Sequence, residues 1–301
     1  MKNEIIRFDW AMKKLLRNKA DFAVVEGLLT VLLERPIHIK SLLESEGNQQ
    51  HAEDKFNRVD LLAEDEDGEL MIFEIQNNRA LDYFHRMTYG VSKVMTEYIS
   101  LGQNYVSIRK IYSINIVYFE LGQGVDYIYH GYTEFHGLHD PKDILTLSER
   151  QRDLFHCNTP ADIMPEYYLL RVNNFDKVAT TPLDEWVQFL KTGDISSSAT
   201  APGLKEARER WLVSTMSDEE RRSYNRYMDN LMYQNSMLHS SHVEGHWEGF
   251  HEGFDDGLKK GIEQGKMEEK IIIATKLKEQ GIPANVIAST VGLDMDVVND
   301  L

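Results

Sequence analysis

The stretches Arg58-Val59-Asp60-Leu61-Leu62 and Leu70-Met71-Ile72-Phe73-Glu74-Ile75-Gln76 decide the fold. Both are short and mostly apolar, so we expect strands at residues 58–63 and 70–76. Between them, the sequence Glu64-Asp65-Glu66-Asp67-Gly68 has turn chemistry, and Asp-Gly is a hairpin signal. The two strands are therefore predicted to form an antiparallel pair.

Helical and strand patterns lie on both sides of this hairpin. Apolar residues recur at helical spacing in residues 5–17 and 22–33, ahead of the hairpin. After it, residues 81–101 predict a long amphipathic helix, and residues 110–120 predict a strand that is buried at its centre. A further strand is expected at 167–171 and a further helix at 183–190. The order is helix, strands, helix, strand, which is typical of an α/β domain.

The composition changes near residue 191. Residues 191–203 include three consecutive serines, Pro202 and two glycines, which is the composition of a linker. We therefore predict a first domain over residues 1–190, this linker, and a helical extension over residues 204–301 that ends in a small helical unit at 267–301.

Within the extension, glycine recurs at every fourth position from Gly245 to Gly265. Glycine costs about 1 kcal/mol per interior helix position relative to alanine, so the repeat is costly unless it allows another helix to approach closely. The repeat predicts a homo-oligomer formed through this helix. A fraying, partly disordered tail is the alternative.

Charge and composition restrict the partners. The 33 basic and 49 acidic residues give a formal charge of −16, the wrong sign for binding nucleic acid through the overall field. Any DNA binding must therefore use a local basic patch. The single cysteine, Cys157, and the charged N-terminal sequence predict a cytoplasmic protein, and no apolar run is long enough to suggest a membrane role.

Two carboxylates stand where core residues are expected. Asp60 and Glu74 both lie inside apolar strand patterns, and burying an unpaired charge is expensive. Such a pair is tolerated when it shares a cation, which predicts a hard-metal site with oxygen ligands and phosphodiester hydrolysis as its chemistry. Strand alternation sends the side chain of Gln76 to the same face as Glu74. The alternative is a pair of strand-edge residues facing solvent.

These strings resemble the PD-(D/E)xK nuclease family transposases, related to the Rpn recombination-promoting nucleases. The resemblance includes Phe8-Asp9-Trp10 before them and, after them, Arg86-Met87-Thr88-Tyr89-Gly90, Pro165-Glu166-Tyr167-Tyr168-Leu169, Trp186 and Phe189-Leu190-Lys191. The resemblance implies a restriction-endonuclease-like αβββαβ core with a helical C-terminal extension. It also implies metal-dependent DNA cleavage, with Mg²⁺ as the cofactor and Mn²⁺ as a substitute, in DNA transposition or recombination.

Carried over position by position, Asp60 is the aspartate of the family motif, Glu74 is its acidic partner, and Gln76 stands at the lysine position. A lysine would supply positive charge, whereas glutamine can only orient the attacking water by hydrogen bonding. An acidic residue on the first helix often completes such sites. Glu26 and Asp9 are the candidates, and Glu26 is favoured because it interrupts an apolar helical face.

Arg86 and Lys93 lie seven residues apart on one predicted helix and share a face, so they are candidates for DNA phosphate contacts. A solvated helix face is the alternative for this pair. The leading hypothesis is thus a Mg²⁺-dependent deoxyribonuclease. The second is a nuclease-fold protein that does not cleave and acts as a DNA-binding or assembly module.

Overall fold

The computed structural model describes residues 5–11, 22–43, 60–99 and 104–301, and the chain divides into two compact units, residues 1–225 and 226–301. The strands are β1 (Ile39–Leu43), β2 (Leu61–Asp65), β3 (Leu70–Gln76), β4 (Ile111–Val117), β5 (Ile128–Gly131) and β6 (Glu166–Arg171). The helices are α1 (Ala23–Leu32), α2 (Tyr83–Glu97), α3 (Glu149–Phe155), α4 (Pro182–Thr192), α5 (Leu204–Arg210), α6 (Asp218–Glu279), α7 (Ala284–Val291) and α8 (Met295–Asp300).

One six-stranded mixed sheet, in the order β1-β2-β3-β4-β6-β5, forms the centre of the first unit. The pairs β1–β2, β2–β3 and β5–β6 are antiparallel, whereas β3–β4 and β4–β6 are parallel. Read from α1 to β4, the elements follow the order αβββαβ, so the expected core is confirmed. Because β3 and β4 are parallel neighbours, their carboxyl ends lie side by side.

The predicted hairpin is present, with Leu61 opposite Phe73 and Gly68 at a φ of +79° after the turn. Its first strand begins at Leu61, so Asp60 immediately precedes β2 and does not lie inside it as predicted. Residues 58 and 59 of that predicted strand lie outside the described residues. Of the predicted helix at 5–17, residues 8–11 are helical, residues 5–7 are not, and residues 12–17 lie outside the described residues.

Helix α2 covers one face of the sheet at β3 and β4. Near its C-terminal end, Val91 and Val94 pack in one cluster with Leu62, Leu70 and Ile72. At its N-terminal end, Tyr83 and Met87 pack with Val117 and Phe119. The helix therefore runs across the strand that carries Glu74.

The end of the segment predicted as a linker is packed into the first unit, whereas residues 191–200 are exposed or partly exposed. Ala201 and Leu204 are buried, and the indole Nε1 of Trp186 on α4 donates a hydrogen bond to the carbonyl of Pro202 at 3.1 Å. A turn-like composition did not reveal this packing because it reports backbone preference and not burial. We propose that the domain boundary lies near residue 225 and not at residues 191–203.

The second unit is helical. It contains most of α6, and the glycines from Gly245 to Gly265 lie within that helix. Near the end of α6, Ala274 packs with Ile287 of α7 and Val298 of α8. In the described part of the chain, no helix combines the length and apolar character needed to cross a membrane.

Gly27 on α1 provides a test of the packing at Pro202. A Cβ added at Gly27 would lie 2.3 Å from the carbonyl oxygen of Pro202, a contact that requires backbone movement. Helix propensity alone predicts that Gly27→Ala stabilises the protein by about 1 kcal/mol. We expect the opposite, a loss of about 1–3 kcal/mol in the free energy of unfolding, because overpacking dominates.

Chemical denaturation of Gly27→Ala measures this difference. Gly131→Ala is the control, since its added Cβ would meet only ordinary contacts, the nearest at 3.7 Å. Stabilisation of the Gly27 variant would contradict the packing of residues 201–204 on α1.

Candidate active site

The site is centred on Glu74, near the carboxyl end of β3. Glu74 is half-buried and stands opposite Asn115 of β4 in the parallel register. Its neighbours in the strand are apolar, and Phe73 is fully buried. The strand thus holds this carboxylate in the protein interior, on the face that α2 covers.

Asp60 reaches the same region from the adjacent strand. Its Oδ2 accepts a hydrogen bond from the backbone N–H of Ile75 at 2.7 Å, so the carboxylate is tied to β3 next to Glu74. The antiparallel pairing of β2 and β3 makes this contact, since it brings the start of β2 beside the end of β3. The hairpin therefore places both motif carboxylates at one end of the sheet.

The two carboxylates act on each other electrostatically. Desolvation raises the pKa of Glu74, the negative charge of Asp60 raises it further, and the opposing effect of Arg86 is smaller, so that the pKa reaches about 8. Near neutral pH the metal-free site therefore holds a proton on Glu74. A cation bound between the two carboxylates would counter the desolvation and the repulsion that raise this pKa.

A small cavity opens beside Glu74, with room for about one water molecule. Its volume is about 10 Å³, and its lining includes Tyr83, Arg86 and Asn115. The guanidinium carbon of Arg86 lies 5.8 Å from the centre of the Tyr83 ring, a cation–π contact that holds it over α2. Arg86 thus brings a positive charge to the site from the helix.

A buried polar network underlies this cavity and was not foreseen from the sequence. The hydroxyl of Tyr83 donates to Oδ1 of Asn115 at 3.2 Å, and Nδ2 of Asn115 donates to Oγ of Ser113 at 3.0 Å. Desolvation and the charge of Glu74 raise the pKa of the Tyr83 hydroxyl, which therefore stays protonated. Two polar residues spaced by two within the apolar strand β4 were the sequence signal for this network.

Gln76 lies at the end of β3, two residues beyond Glu74. Its Nε2 donates to the backbone carbonyl of Asn78 at 3.2 Å, which orients the amide within the loop that follows the strand. The carbonyl oxygen of that amide is an acceptor and not a cation. Gln76 therefore supplies none of the positive charge that a lysine would bring.

The two first-helix candidates occupy different places. Oε1 of Glu26 accepts a hydrogen bond from the backbone N–H of Ile39 at 2.8 Å, and Glu26 is not among the charges that act on Glu74. Asp9 is buried, forms an ion pair with Arg7 at 3.3 Å and contacts Nδ2 of Asn77 at 3.5 Å. Asp9, and not the favoured Glu26, therefore contacts the residue that follows Gln76.

The two basic candidates on α2 also differ. Arg86 lines the cavity with Glu74, whereas Nζ of Lys93 lies 3.7 Å from Oε1 of Glu97, its partner one helical turn away. Both side chains are half-buried. Only Arg86 is thus brought to the carboxylate pair.

The donor chemistry of the site fits a hard divalent cation. Asp60 and Glu74 offer carboxylate oxygens, which are the ligands that Mg²⁺ and Mn²⁺ prefer. Among the residues that the structure describes, no group of three or more His, Cys, Asp or Glu side chains converges as a metal site. Of the described residues, Asp60 and Glu74 are thus the carboxylates that this site would offer to a cation.

An α/β core of this order, with a carboxylate pair at the end of its central hairpin, defines a PD-(D/E)XK nuclease-like fold. Residues 6–136 match the family model described as PD-(D/E)XK nuclease family transposase, and the family recognised in the sequence is confirmed over this segment. The matched segment includes Asp60, Glu74 and Gln76. The downstream similarity from Pro165 to Lys191 lies outside the matched residues.

The other comparisons add no relatives. No curated protein and no solved structure matches the chain, so the family assignment depends on the family model. Nucleases of the PD-(D/E)XK type are generally dependent on a divalent metal, which agrees with the donor chemistry of Asp60 and Glu74.

The raised pKa of Glu74 predicts how stability depends on pH without metal. Between the ordinary value of 4.5 and about 8, the folded protein keeps a proton that the unfolded chain has lost, so the free energy of unfolding falls as pH rises through this window. Partial exposure limits the effect to on the order of 2 kcal/mol. Glu74→Gln should remove this dependence and make the metal-free protein more stable than the wild type at pH 8.

Denaturant titrations in EDTA at pH 5 and pH 8 measure both proteins. An equal pH dependence in the wild type and the Glu74→Gln variant would show that another group is responsible.

Proposed function

We propose that this protein is a divalent-metal-dependent deoxyribonuclease that hydrolyses phosphodiester bonds, acting in DNA transposition or recombination. One observation carries the proposal: Asp60 and Glu74 meet beside an arginine-lined cavity, on a segment that matches a nuclease family. Asp60 and Glu74 would hold Mg²⁺, with Mn²⁺ as a substitute. The single, free Cys157 is compatible with the proposed cytoplasmic location.

The bound cation would polarise the phosphoryl oxygen, activate a water molecule and stabilise the leaving oxygen. The residues of the chain position these groups. Asp60 is held by the N–H of Ile75, and Glu74 must release its proton before it can act as a ligand. The oxygen of the Gln76 amide would accept a hydrogen bond from the attacking water and so orient it.

Arg86 would provide the positive charge that Gln76 cannot. Its guanidinium lines the cavity from α2 and can contact two phosphate oxygens at once, whereas a lysine on β3 would act as a point charge. Lys93 would contribute at most a contact to the DNA backbone farther along the helix. The net charge of −16 makes such local cations necessary.

A second candidate function is a nuclease-fold protein that binds DNA, or assembles with other chains, without cutting. The glutamine at the lysine position is the observation that favours it, since it leaves β3 without a cation. The two functions differ in one measurement, the cleavage of supercoiled plasmid with Mg²⁺, with Mn²⁺ and with EDTA.

Asp60→Asn should lower metal-dependent cleavage by about 100-fold or more, because it removes the ligand charge while keeping an oxygen to accept the hydrogen bond from Ile75. The variant should remain folded, and Mg²⁺ should no longer raise its melting temperature. Plasmid cleavage and thermal unfolding with and without Mg²⁺ measure both effects. Cleavage at the wild-type rate would exclude Asp60 as a ligand.

Arg86→Met should lower the maximal cleavage rate, and Lys93→Met is its matched control because it removes a cation from the same helix away from the cavity. Gln76→Lys should keep or raise the rate of the wild type. In the Arg86→Met background it should restore part of the lost activity, since it returns positive charge to the site from β3.

Single-turnover rates on a short DNA duplex compare these variants. If the Arg86 and Lys93 variants lost the same amount of cleavage rate, and Gln76→Lys restored none of it, Arg86 would be only a general DNA contact.

A further inference from the structure

One face of α6 in the second unit carries large apolar side chains that remain exposed to solvent. Between residues 243 and 258, five of them are each more than half exposed, and these five are called the apolar stripe: Val243, Trp247, Phe250, Phe254 and Leu258. At about 100° per residue, the five fall within an arc of about 80°. The described residues of the second unit do not cover this apolar stripe.

The glycines of the repeat do not follow the apolar stripe along α6 but shift gradually around the helix. Each step of four residues turns the position by about 40°, so the six glycines do not lie on one face. Gly261 and Gly265 fall inside the arc of the apolar stripe, whereas Gly245 lies on the opposite side of the helix. Apart from the adjacent backbone of the helix itself, a Cβ at any of these three glycines would meet no atom of the described residues within 4 Å. Contacts within the chain therefore do not explain the glycines.

Large residues and glycines are arranged symmetrically about Phe254. Trp247 lies seven residues before Phe254 and Gly261 seven after it, while Val243 lies eleven before and Gly265 eleven after. In an antiparallel pair of helices crossing at Phe254, Trp247 of each copy meets Gly261 of the other. A parallel pair would instead place the two Trp247 side chains against each other and the two Gly261 residues against each other. The interface would then be overpacked at Trp247 and would leave a cavity at Gly261.

Charge along the helix favours the same orientation. In an antiparallel pair centred on Phe254, residues 244–251 of one helix face residues 257–264 of the other. The first segment contains two glutamates and no lysine or arginine, whereas the second contains two lysines and one glutamate. A parallel pair would instead set each segment against its own copy, so these opposite charges meet in the antiparallel pair.

We propose that the apolar stripe of α6 is the binding surface for a second copy of this chain, and that the two α6 helices pair antiparallel with Phe254 at the centre. The large side chains of each helix fill the spaces left by the glycines of the other. This pairing is independent of the nuclease proposal, because it involves no residue of the candidate active site and is measured by mass and cross-linking.

Sedimentation of the full-length protein tests the surface. We expect a dimer for the wild type, a dimer at least about tenfold weaker for Gly261→Leu, and no weakening for Gly245→Leu. The two variants gain the same helix propensity and differ only in whether the new side chain enters the stripe. A monomeric wild type, or equal effects of both substitutions, would overturn the proposal. A dimer that Phe254→Asp leaves intact would also overturn it.

Cross-linking of full-length protein in a Cys157→Ser background tests the orientation. His246→Cys and Gln264→Cys lie on the same flank of the stripe, and they are about 27 Å apart along one helix at about 1.5 Å per residue. When differently tagged chains are mixed, a short thiol cross-linker should join His246→Cys of one chain to Gln264→Cys of the other. Products joining only identical positions would show a parallel pair and contradict the proposed orientation.

Discussion

The repulsion between a half-buried carboxylate at Glu74 and the neighbouring carboxylate of Asp60 is the constraint on which the candidate site depends. Desolvation and this repulsion together raise the pKa of Glu74 to about 8. A structure selected for stability alone would place apolar side chains at such positions, since unpaired buried charge is costly. The hairpin of β2 and β3 nevertheless holds the two groups together, through the hydrogen bond from Ile75 to Asp60. The free-energy cost of holding these two carboxylates close together is consistent with a site for a cation.

The acidic and basic groups of the site lie on two different elements, the strand β3 and the helix α2. In the usual motif one strand carries both the acidic partner and the cation, whereas here β3 ends in the neutral Gln76. The helix α2 brings Arg86 to the same cavity, and its packing on β3 and β4 keeps it there. The site thus combines two carboxylates with the guanidinium of Arg86, although β3 itself carries no lysine.

Much of the core could be predicted from the sequence because its elements have strong local signals. The hairpin followed from two apolar strands around an acidic turn, and α2 from its apolar periodicity. The edge strand β1 was missed, since Ile39–Leu43 is short and contains Lys40 and Ser41 among its apolar residues. The burial of residues 201–204 was also missed, because serine, proline and glycine report turn preference and say nothing about packing against Gly27.

The sequence by itself determined the hairpin, the two acidic residues Asp60 and Glu74, the neutral Gln76 after them and the glycine repeat, because each is a local pattern. Only the tertiary structure decided what stands beside those carboxylates. It brought Arg86, Tyr83 and Asn115 to Glu74, and it engaged Glu26 with the backbone of β1. The parallel register of β3 with β4 brings Asn115 to Glu74 from 41 residues away, and the packing of α2 on the sheet brings Tyr83 and Arg86. No local pattern encodes that register, since it depends on how helix and sheet pack together.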